Sequence, residues 1–274
     1  MSLTTDTFTW VADLVRKRSA IQLESGKEYL VESRLMPLAR AAGAGDVDAY
    51  VRGVRAAGSP QALEAVVEAL TTNETSWFRD AQPFQTLTEL VVPERLAGRP
   101  PSTPLRIWSA ACSSGQEPYS ILMQLGDLVA ARRVQLLATD LNQTMVDRAR
   151  TGRYNQLEVN RGMPAPLLVK HFTRAGADWE IAPALRSAAT FQRHTLLEMP
   201  PPGGPFDVVF VRNVLIYFDL ATKRDVLRRI GQAMRPGGYL FLGAAETTIG
   251  IDDSWDRVSH GRGSVYRLGA RRAA

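Results

Sequence analysis

Residues 108–123 read Trp108-Ser-Ala-Ala-Cys-Ser-Ser-Gly-Gln-Glu-Pro-Tyr-Ser-Ile-Leu-Met123. An apolar run from Leu105 leads into this stretch, small residues and Gly115 follow, and a helical pattern begins at Glu117-Pro118. Proline suits the first turn of a helix, and small residues let a backbone approach a ligand closely. A strand, a tight loop and a helix N-terminus in this order are typical of the nucleotide crevice in a doubly wound α/β sheet.

Two further strand-like runs end in polar residues, as the same kind of crevice requires. The run from Val134 ends at Asp140, 25 residues after Gly115, and the run from Phe206 ends at Arg212-Asn213. A carboxylate at the end of the second strand can accept hydrogen bonds from both ribose hydroxyls of an adenosine ligand. The sequence therefore predicts an adenosine cofactor.

The glycine content of the loop distinguishes between adenosine cofactors. Dinucleotide-binding loops carry Gly-x-Gly-x-x-Gly, whereas this loop has Gly115 alone, among alanines and serines. A pyrophosphate needs an open loop with several free backbone donors, and S-adenosylmethionine (SAM) has no phosphate. The loop therefore favours SAM over NAD.

The composition is that of a globular protein with a single cysteine. The 274 residues are 45% hydrophobic and 22% charged, which is enough for a sizeable core in one large or two modest domains. Cys112 excludes an internal disulfide, the N-terminus lacks a signal-peptide pattern, and no apolar run reaches membrane-spanning length. These features predict a cytoplasmic protein without membrane insertion.

The net charge of +5 is unevenly distributed along the chain. Residues 16–55 contain eight basic and five acidic side chains, and the basic ones include Arg16, Arg34 and Arg40. Such a patch could meet an acidic protein surface or nucleic acid, or it could be the solvated face of a helix. Charge alone does not choose between these interpretations.

Residue spacing divides the chain into a helical part and an α/β part. Helices are predicted within 8–18, 27–40, 46–56 and 60–70, and another over 83–96 precedes a proline-rich linker. Strands are predicted near 105–109, 134–139, 188–194, 206–212, 237–243 and 264–268, and helices near 117–130, 142–150 and 219–235. Pro236-Gly237-Gly238 is expected to end the last helix. We predict a helical domain at 1–80, a linker at 81–104 and an α/β domain at 105–274.

The regular alternation of strand and helix breaks down between about residues 151 and 189. Within this range, residues 172–182 are typical of a β-hairpin with its turn at 174–178. We interpret the range as a small β insertion. The predicted fold class is thus α/β, with a mostly parallel, helix-flanked sheet preceded by a small all-α domain.

Four blocks of the sequence carry a family resemblance. They are Thr71-Thr-Asn-Glu-Thr-Ser-Trp-Phe-Arg-Asp80, the block 108–123, Ala138-Thr-Asp-Leu-Asn142 with Gly152-Arg-Tyr154, and Val211-Arg-Asn-Val-Leu-Ile-Tyr-Phe-Asp219. Together they resemble the CheR-type chemotaxis receptor glutamate methyltransferases. The first and last blocks are specific, whereas the other two suit many cofactor-binding sheets. The resemblance implies a Rossmann-like SAM-dependent methyltransferase sheet preceded by a helical receptor-docking domain.

The resemblance also implies an activity and a set of site residues. The activity is transfer of the SAM methyl group to glutamate carboxylates of a chemoreceptor helical bundle, which gives methyl esters and S-adenosylhomocysteine (SAH). Arg79 and Tyr217 are the implied catalytic residues, with Arg79 suited to a carboxylate because a guanidinium offers a planar pair of donors. The implied cofactor contacts are Asn73, Thr75, Arg79, Glu117, Asp140 at the ribose, Thr195, Leu196, Arg212 and Asn213. At Thr195 the family pattern has Asn, so a backbone contact is expected there.

The expected chemistry needs alignment of the reactants and no general base. A glutamate acceptor is already ionised at neutral pH, and His171, His194 and His260 lie outside the four blocks. Positioning can supply about 7–11 kcal/mol of such a barrier. No metal is expected.

Other functions remain open from the sequence alone. The first is a methyltransferase for a small molecule or nucleic acid, although residues 212–217 lack the prolines of amino-methylating nucleic-acid enzymes. The second is a non-catalytic SAM-sensing or scaffolding module. Arg79 could also form a mere surface ion pair with Asp80. We expect a monomer without a nucleic-acid partner, and the short turn at 174–178 argues against a tether to a receptor C-terminal peptide.

Overall fold

A computed structural model describes residues 3–269 of the chain. These residues form two compact units: 3–72 together with 217–222, and 73–216 together with 223–269. The domain limits drawn from the sequence stay a prediction. Within the described residues, no helix combines the length and apolar character needed to span a bilayer.

The first unit is built from four amphipathic helices. They are α1 (Thr5–Ser19), α2 (Glu28–Ala41), α3 (Val47–Ala57) and α4 (Pro60–Leu70). Their apolar residues recur every three or four positions, as at Val11 and Val15 in α1 and at Val47, Val51 and Val54 in α3, and these side chains form one core. The four helices predicted in this region are confirmed.

The second unit is organised around a seven-stranded sheet. Its strands are β1 (Leu105–Ala110), β2 (Val134–Asp140), β6 (Ala189–Arg193), β7 (Phe206–Val211), β8 (Met234–Leu242), β9 (Trp255–His260) and β10 (Gly263–Leu268). The strand order is β6-β2-β1-β7-β8-β10-β9. The first five strands in this order are parallel, and β10 and β9 are antiparallel. The sequence therefore predicted the mostly parallel sheet correctly.

Helices cover this sheet. They are α5 (Gln82–Thr86), a π-helical turn (Leu87–Val91), α6 (Val92–Leu96), α7 (Gln116–Gln124), α8 (Gly126–Ala130), α9 (Gln143–Thr151) and α13 (Leu220–Ala233), of which only residues 223–233 belong to this unit. One predicted helix, 117–130, is wrong in detail because it breaks at Leu125, where the backbone leaves the helical region (φ −99°, ψ 26°). The last predicted helix ends earlier than expected, at Ala233, because Met234–Gly238 are already part of β8.

The β insertion is a separate small sheet with its own helices. Strands β3 (Arg153–Tyr154), β5 (Asp178–Ile181) and β4 (Phe172–Ala175) lie in that order and are antiparallel. Helices α10 (Gln156–Asn160), α11 (Ala165–His171) and α12 (Pro183–Ala188) complete the segment. The predicted hairpin is confirmed, with Gly176 at φ +67° in its turn.

Strand β9 is absent from the sequence prediction. It is the edge strand of the large sheet, and of its six residues only Trp255 is buried. An edge strand with one buried residue carries no apolar alternation, which is the signal on which the other strands depend.

Candidate active site

The strand order places a topological switch point between β1 and β7. The chain runs from β1 to β2 on one side, and β7 and β8 lie on the other side. Open α/β sheets bind ligands at the carboxyl ends of the strands at such a point. Here these ends carry the loop 111–115 after β1, Asp140 at the end of β2, and Arg212-Asn213 after β7.

The backbone is unusual at this edge of the sheet. In residues 3–269, eight non-glycine residues have positive φ: Ala20, Phe78, Asp80, Ala81, Ala111, Ser113, Arg132 and Asn213. Six of them lie in the segments 78–81, 111–113 and 213. Left-handed conformations cost free energy in non-glycine residues and cluster at functional sites. The conformation of the loop thus supports the location that the topology indicates.

Asp140 is buried and fixed by backbone donors. Its Oδ2 accepts from the Ser113 N–H at 2.8 Å, and its Oδ1 accepts from the Asn142 N–H at 2.9 Å. A carboxylate has about four acceptor positions, so these bonds are compatible with a ligand hydroxyl. The Ser113 hydroxyl donates to the Asn73 carbonyl at 2.7 Å, and therefore Asn73, Ser113 and Asp140 form one connected group.

Arg212 and Glu117 form a second group. The Arg212 side chain is 2% exposed, and it donates to Glu117 at 3.0 Å. It also donates to the Arg79 carbonyl and to the Asp80 carboxylate, each at 2.8 Å. Burial raises the pKa of Glu117, and Arg212 and the Ser109 hydroxyl act against that rise. The structure thus brings Glu117, Arg212 and the 79–80 backbone together.

Arg79 does not pair with its neighbour. Asp80 binds Arg212, whereas the Arg79 guanidinium donates to the Glu74 carbonyl at 3.4 Å. The alternative interpretation of Arg79 and Asp80 as a surface ion pair is therefore wrong. Thr75, four residues earlier, is half-buried in the same segment.

The remaining predicted cofactor residues follow β6 and β7. His194 N–H donates to the Asp140 carbonyl at 2.9 Å, which places Thr195-Leu196 next to the end of β2. The Thr195 hydroxyl accepts from Leu197 N–H at 3.3 Å, and the Leu196 carbonyl accepts from Arg229 at 3.3 Å. These bonds hold the 195–197 turn.

Tyr217 ends a short 3₁₀ helix, Leu215–Tyr217, and is half-buried. Residues 217–222 belong to the first unit. The position of Tyr217 near the reacting methyl group therefore stays a prediction, and its contribution to the site rests on the family resemblance.

Comparison with known proteins decides the family. Residues 73–262 match the family model described as CheR methyltransferase, SAM binding domain. Residues 6–71 match the model described as CheR methyltransferase, all-alpha domain. The chain belongs to the CheR methyltransferase family. The resemblance stated from the four blocks is confirmed, as is the fold class of a methyltransferase sheet preceded by an all-α domain.

Curated relatives of the family cover nearly the whole chain. A chemotaxis protein methyltransferase Cher2 from Pseudomonas putida is 41% identical over 92% of this chain and 94% of its own length. Chemotaxis protein methyltransferase 1 from Pseudomonas aeruginosa is 42% identical over the same two shares. A Salmonella typhimurium chemotaxis protein methyltransferase is 35% identical over 87% of this chain and 83% of its own. The chain is accordingly a SAM-dependent methyltransferase.

One residue that the sequence analysis missed organises the 213–216 loop of this CheR-family site. Glu246 Oε2 accepts from the N–H groups of Gly243 at 2.7 Å and Asn213 at 2.8 Å, and Oε1 accepts from Val214 at 2.9 Å and Ile216 at 3.3 Å. Asn213 is held at φ +59°. The signal available in the sequence was an acidic residue shortly after a predicted strand, at the edge where the other site residues end.

The side chains of the three histidines lie outside the hydrogen-bonded groups around Asp140 and Arg212. The Nε2 of His194 lies 2.8 Å from the Met199 carbonyl, that of His260 lies 3.0 Å from Glu89, and His171 is buried in the insertion. Burial raises the pKa of the Cys112 thiol well above its ordinary value, and the nearby Asp140 and Glu117 carboxylates add to the rise. Cys112 is buried in the loop, and its raised pKa disfavours the thiolate form that a nucleophile needs.

Proposed function

We propose that this protein transfers the methyl group of SAM to glutamate side chains of a methyl-accepting chemoreceptor bundle, as a cytoplasmic monomer. The observation that supports the proposal most strongly is the match of both parts of the chain to one family whose curated relatives are named chemotaxis protein methyltransferases. The segments 73–80, 111–117 and 212–213, which the family resemblance singled out, meet at the switch point of the sheet.

We assign the cofactor residues by the segments that hold them. Asp140 would accept the ribose hydroxyls, and the 195–196 backbone would border the adenine. The group around Arg212, which contains Glu117 and the 79–80 backbone, would hold the methionine end together with Asn73, Thr75 and Asn213. This donor set suits a ligand that carries hydroxyls, an amine and a carboxylate, because the buried carboxylates can accept and the arginines can donate.

The proposed reaction needs two groups to be aligned and water to be kept out. When bound, SAM supplies the methyl group on a sulfonium centre. A carboxylate oxygen of the acceptor forms the new bond to the methyl carbon, the carbon–sulfur bond breaks, and its electron pair stays on sulfur. No proton changes place, so the chain has to supply orientation and no base. Arg79 would orient the acceptor carboxylate and Tyr217 would lie at the methyl group.

The basic surface of the helical unit suits an acidic receptor surface. Arg40 and Arg52 are exposed. Arg34, by contrast, donates to the Thr71 carbonyl at 2.7 Å and holds its own unit together. Arg55 lies 3.3 Å from Asp6 and is partly neutralised. We therefore propose that α2 and α3 provide docking charges through Arg40 and Arg52.

Methyl transfer to a receptor tests the proposal directly. The purified chain is incubated with methyl-labelled SAM and the cytoplasmic fragment of a chemoreceptor, and the products are mapped by mass spectrometry. We expect base-labile methyl esters on glutamates. Arg79→Ala and Tyr217→Phe should lower turnover by about tenfold or more, because rate depends steeply on geometry.

The control in this assay is Arg228→Ala, which removes an exposed arginine that pairs with Asp225 on α13. It should keep wild-type turnover. Label on lysine or nucleic acid, or a wild-type protein that binds SAH and transfers nothing to any receptor tested, would contradict the proposed substrate.

A further inference from the structure

The β insertion contacts the proposed cofactor site through one side chain, Tyr154 of β3. Tyr154 is 1% exposed, and its hydroxyl donates to the Ser114 carbonyl at 2.8 Å. Ser114 lies in the loop 111–115, in which Ala111, Ser113 and Gly115 all have positive φ. A loop with this backbone depends on its surroundings to hold its shape.

The same ring also packs against the other segment of the site. Trp77, within 73–80, meets the Tyr154 ring edge to face with 4.8 Å between the ring centres, and meets Phe172 of β4 at 5.4 Å. Aromatic pairs at these distances stabilise beyond the area that they bury. Tyr154 therefore touches two of the segments that meet at the proposed cofactor site, the loop 111–115 and the segment 73–80.

Two further contacts tie segment 73–80 to the insertion. The Trp77 N–H donates to the Arg161 carbonyl at 3.0 Å, and Arg161 forms an ion pair with Glu74 at 2.7 Å. Gly162 allows the close approach, because a Cβ there would lie 2.3 Å from the Trp77 carbonyl oxygen. The insertion thus supports this segment from the side of Arg161 and Gly162 as well.

Gly115 allows a close approach of Tyr154, as Gly162 allows a close approach of Trp77. A Cβ on Gly115 would lie 2.9 Å from the Tyr154 hydroxyl. The hydroxyl is a permanent donor, since burial raises its pKa well above the ordinary value and keeps it protonated. A side chain at position 115 would collide with the Tyr154 hydroxyl and with Ala149, so the loop needs a glycine beside this tyrosine.

We propose that Tyr154 is a positioning residue for SAM binding, through which the β insertion holds the loop 111–115 and the segment 73–80 in register. This inference rests on the proposed location of the cofactor. It gives the insertion a role within the enzyme that is independent of any receptor tether.

Tyr119 provides a matched control. It is also a fully buried tyrosine, and its hydroxyl also donates to a backbone carbonyl, that of Ala149 at 2.9 Å. Ala149 belongs to α9, so the Tyr119 hydroxyl bonds to neither the segment 73–80 nor the loop 111–115. Tyr119→Phe and Tyr154→Phe each delete one buried hydroxyl. The first removes the donor to the Ala149 carbonyl, and the second removes the donor to the Ser114 carbonyl.

SAH affinity, measured by calorimetry on the full chain, tests the inference. Tyr154→Phe should raise the SAH dissociation constant and the KM for SAM by about threefold to tenfold, the worth of one hydrogen bond, with kcat changed by less than about twofold. Tyr119→Phe should stay within about twofold of wild type. Unchanged affinity in Tyr154→Phe, or equal weakening in both variants, overturns the inference.

Two further measurements distinguish a failure of the inference about Tyr154 from a failure of the proposed cofactor location. Asp140→Ala tests the proposed location of the cofactor. If Asp140→Ala weakens SAH binding and Tyr154→Phe does not, only the inference about Tyr154 fails. If neither variant weakens SAH binding, the site assignment fails. In the wild-type chain, SAH should slow amide hydrogen exchange at residues 152–155 as well as at 111–116. Unchanged exchange at 152–155 overturns the inference without any variant.

Discussion

The carboxylates at the carboxyl edge of the sheet are held by different partners, and those partners suggest different roles. Asp140 and Glu246 accept backbone N–H groups, whereas Glu117 is bound by the guanidinium of Arg212. Backbone donors fix a carboxylate together with the shape of the loop that supplies them. Asp140 therefore shapes the loop at Ser113, and Glu246 shapes the turn at Asn213.

Removal of Asp140 is expected to weaken cofactor binding far more than removal of a nearby exposed aspartate. Asp140→Ala deletes an acceptor for two ribose hydroxyls, each bond to a charged group being worth about 1.5–3 kcal/mol. SAH affinity should fall by about a hundredfold or more. Asp147→Ala, which removes an exposed residue of α9 that pairs with Arg150, is the control and should bind normally.

Calorimetry with both variants decides the role of Asp140. If the folded Asp140→Ala protein binds SAH as tightly as the Asp147→Ala protein does, Asp140 lies outside the site.

The sequence predicted some of these residues for a physical reason and missed others for an equally physical one. Asp140 and Arg212 end apolar strands, so their edge of the sheet could be inferred from the pattern alone. Glu246 was missed, and Tyr154 stood in one of the four blocks without a role, because each bonds to backbone groups far away in the sequence, as Tyr154 does to Ser114. Such partners depend on how the chain returns on itself, which local spacing does not encode.

At the scale of secondary-structure elements, one buried carboxylate connects the strands and helices that meet at the amino edge of the sheet. Asp207 in β7 has a fully buried side chain and accepts two hydrogen bonds from Arg99, at 2.6 and 2.9 Å. Arg95 of α6 donates to it at 3.3 Å, and the Arg106 N–H of β1 donates at 2.9 Å. The residue therefore links β7 with β1, α6 and the segment after α6.

Stability should depend on the charge of Asp207. Burial alone would raise its pKa, but the bonds from Arg99, Arg106 N–H and Arg95 hold the pKa below its ordinary value. Because the folded pKa is lowered, this stabilisation is complete above the unfolded pKa of about 3.9 and is lost as the pH falls through the folded pKa. We therefore expect low pH to remove the stabilisation that Asp207 provides.

Denaturant unfolding of Asp207→Asn measures this contribution. At pH 7 the variant should lose about 3–5 kcal/mol, because it leaves the half-buried Arg95 and Arg99 without their counter-charge. Asp225→Asn, which breaks the partly exposed ion pairs with Arg228 and Arg229 on α13, is the control and should lose less than about 2 kcal/mol. Equal losses in the two variants would show that Asp207 is no more than a surface charge.

Element boundaries were predicted well where the apolar pattern is strong and poorly where it is weak. Strands β1, β2 and β7 are buried along nearly their whole length and were found to within a residue or two. Met234-Arg235 were assigned to the last helix, with Pro236-Gly237-Gly238 as its stop, because proline and glycines usually end a helix, yet β8 already begins at Met234. The pairing of Met234 with Phe206 decides this, and it is a long-range contact.

At the scale of the whole molecule, the proposed function draws on both units, and Tyr217 belongs to the first of them. The first presents exposed arginines, and the second holds the residues assigned to the cofactor. The sequence predicts a helical domain at 1–80 and an α/β domain at 105–274, because helical spacing stops before Leu105 and strand runs begin there, and these limits stay a prediction. The grouping of residues 217–222 with the first unit was not visible, since it depends on tertiary contacts.

Charge reversal on the helical unit should slow receptor methylation and leave cofactor affinity unchanged. Arg40→Glu and Arg52→Glu should each slow receptor methylation at low salt without changing SAH affinity. The effect should shrink as salt rises, because exposed charges are screened over about 8–10 Å at moderate ionic strength. Lys170→Glu, an exposed reversal on α11, is the control.

Receptor methylation rates over a salt series provide the measurement. If both arginine reversals methylate the receptor as fast as the Lys170→Glu protein does at low salt, the receptor docks elsewhere.

The central claim is that this chain aligns an ionised glutamate with a methyl donor and supplies no base. Its most direct test is the pH dependence of kcat, measured with SAM and receptor both saturating. The account predicts that kcat varies by less than about twofold between about pH 6 and pH 8, because the acceptor, with a reference pKa near 4.3, is already ionised there. A kcat that rises tenfold per pH unit across this range would reveal an enzyme group that must lose a proton, and would contradict the account.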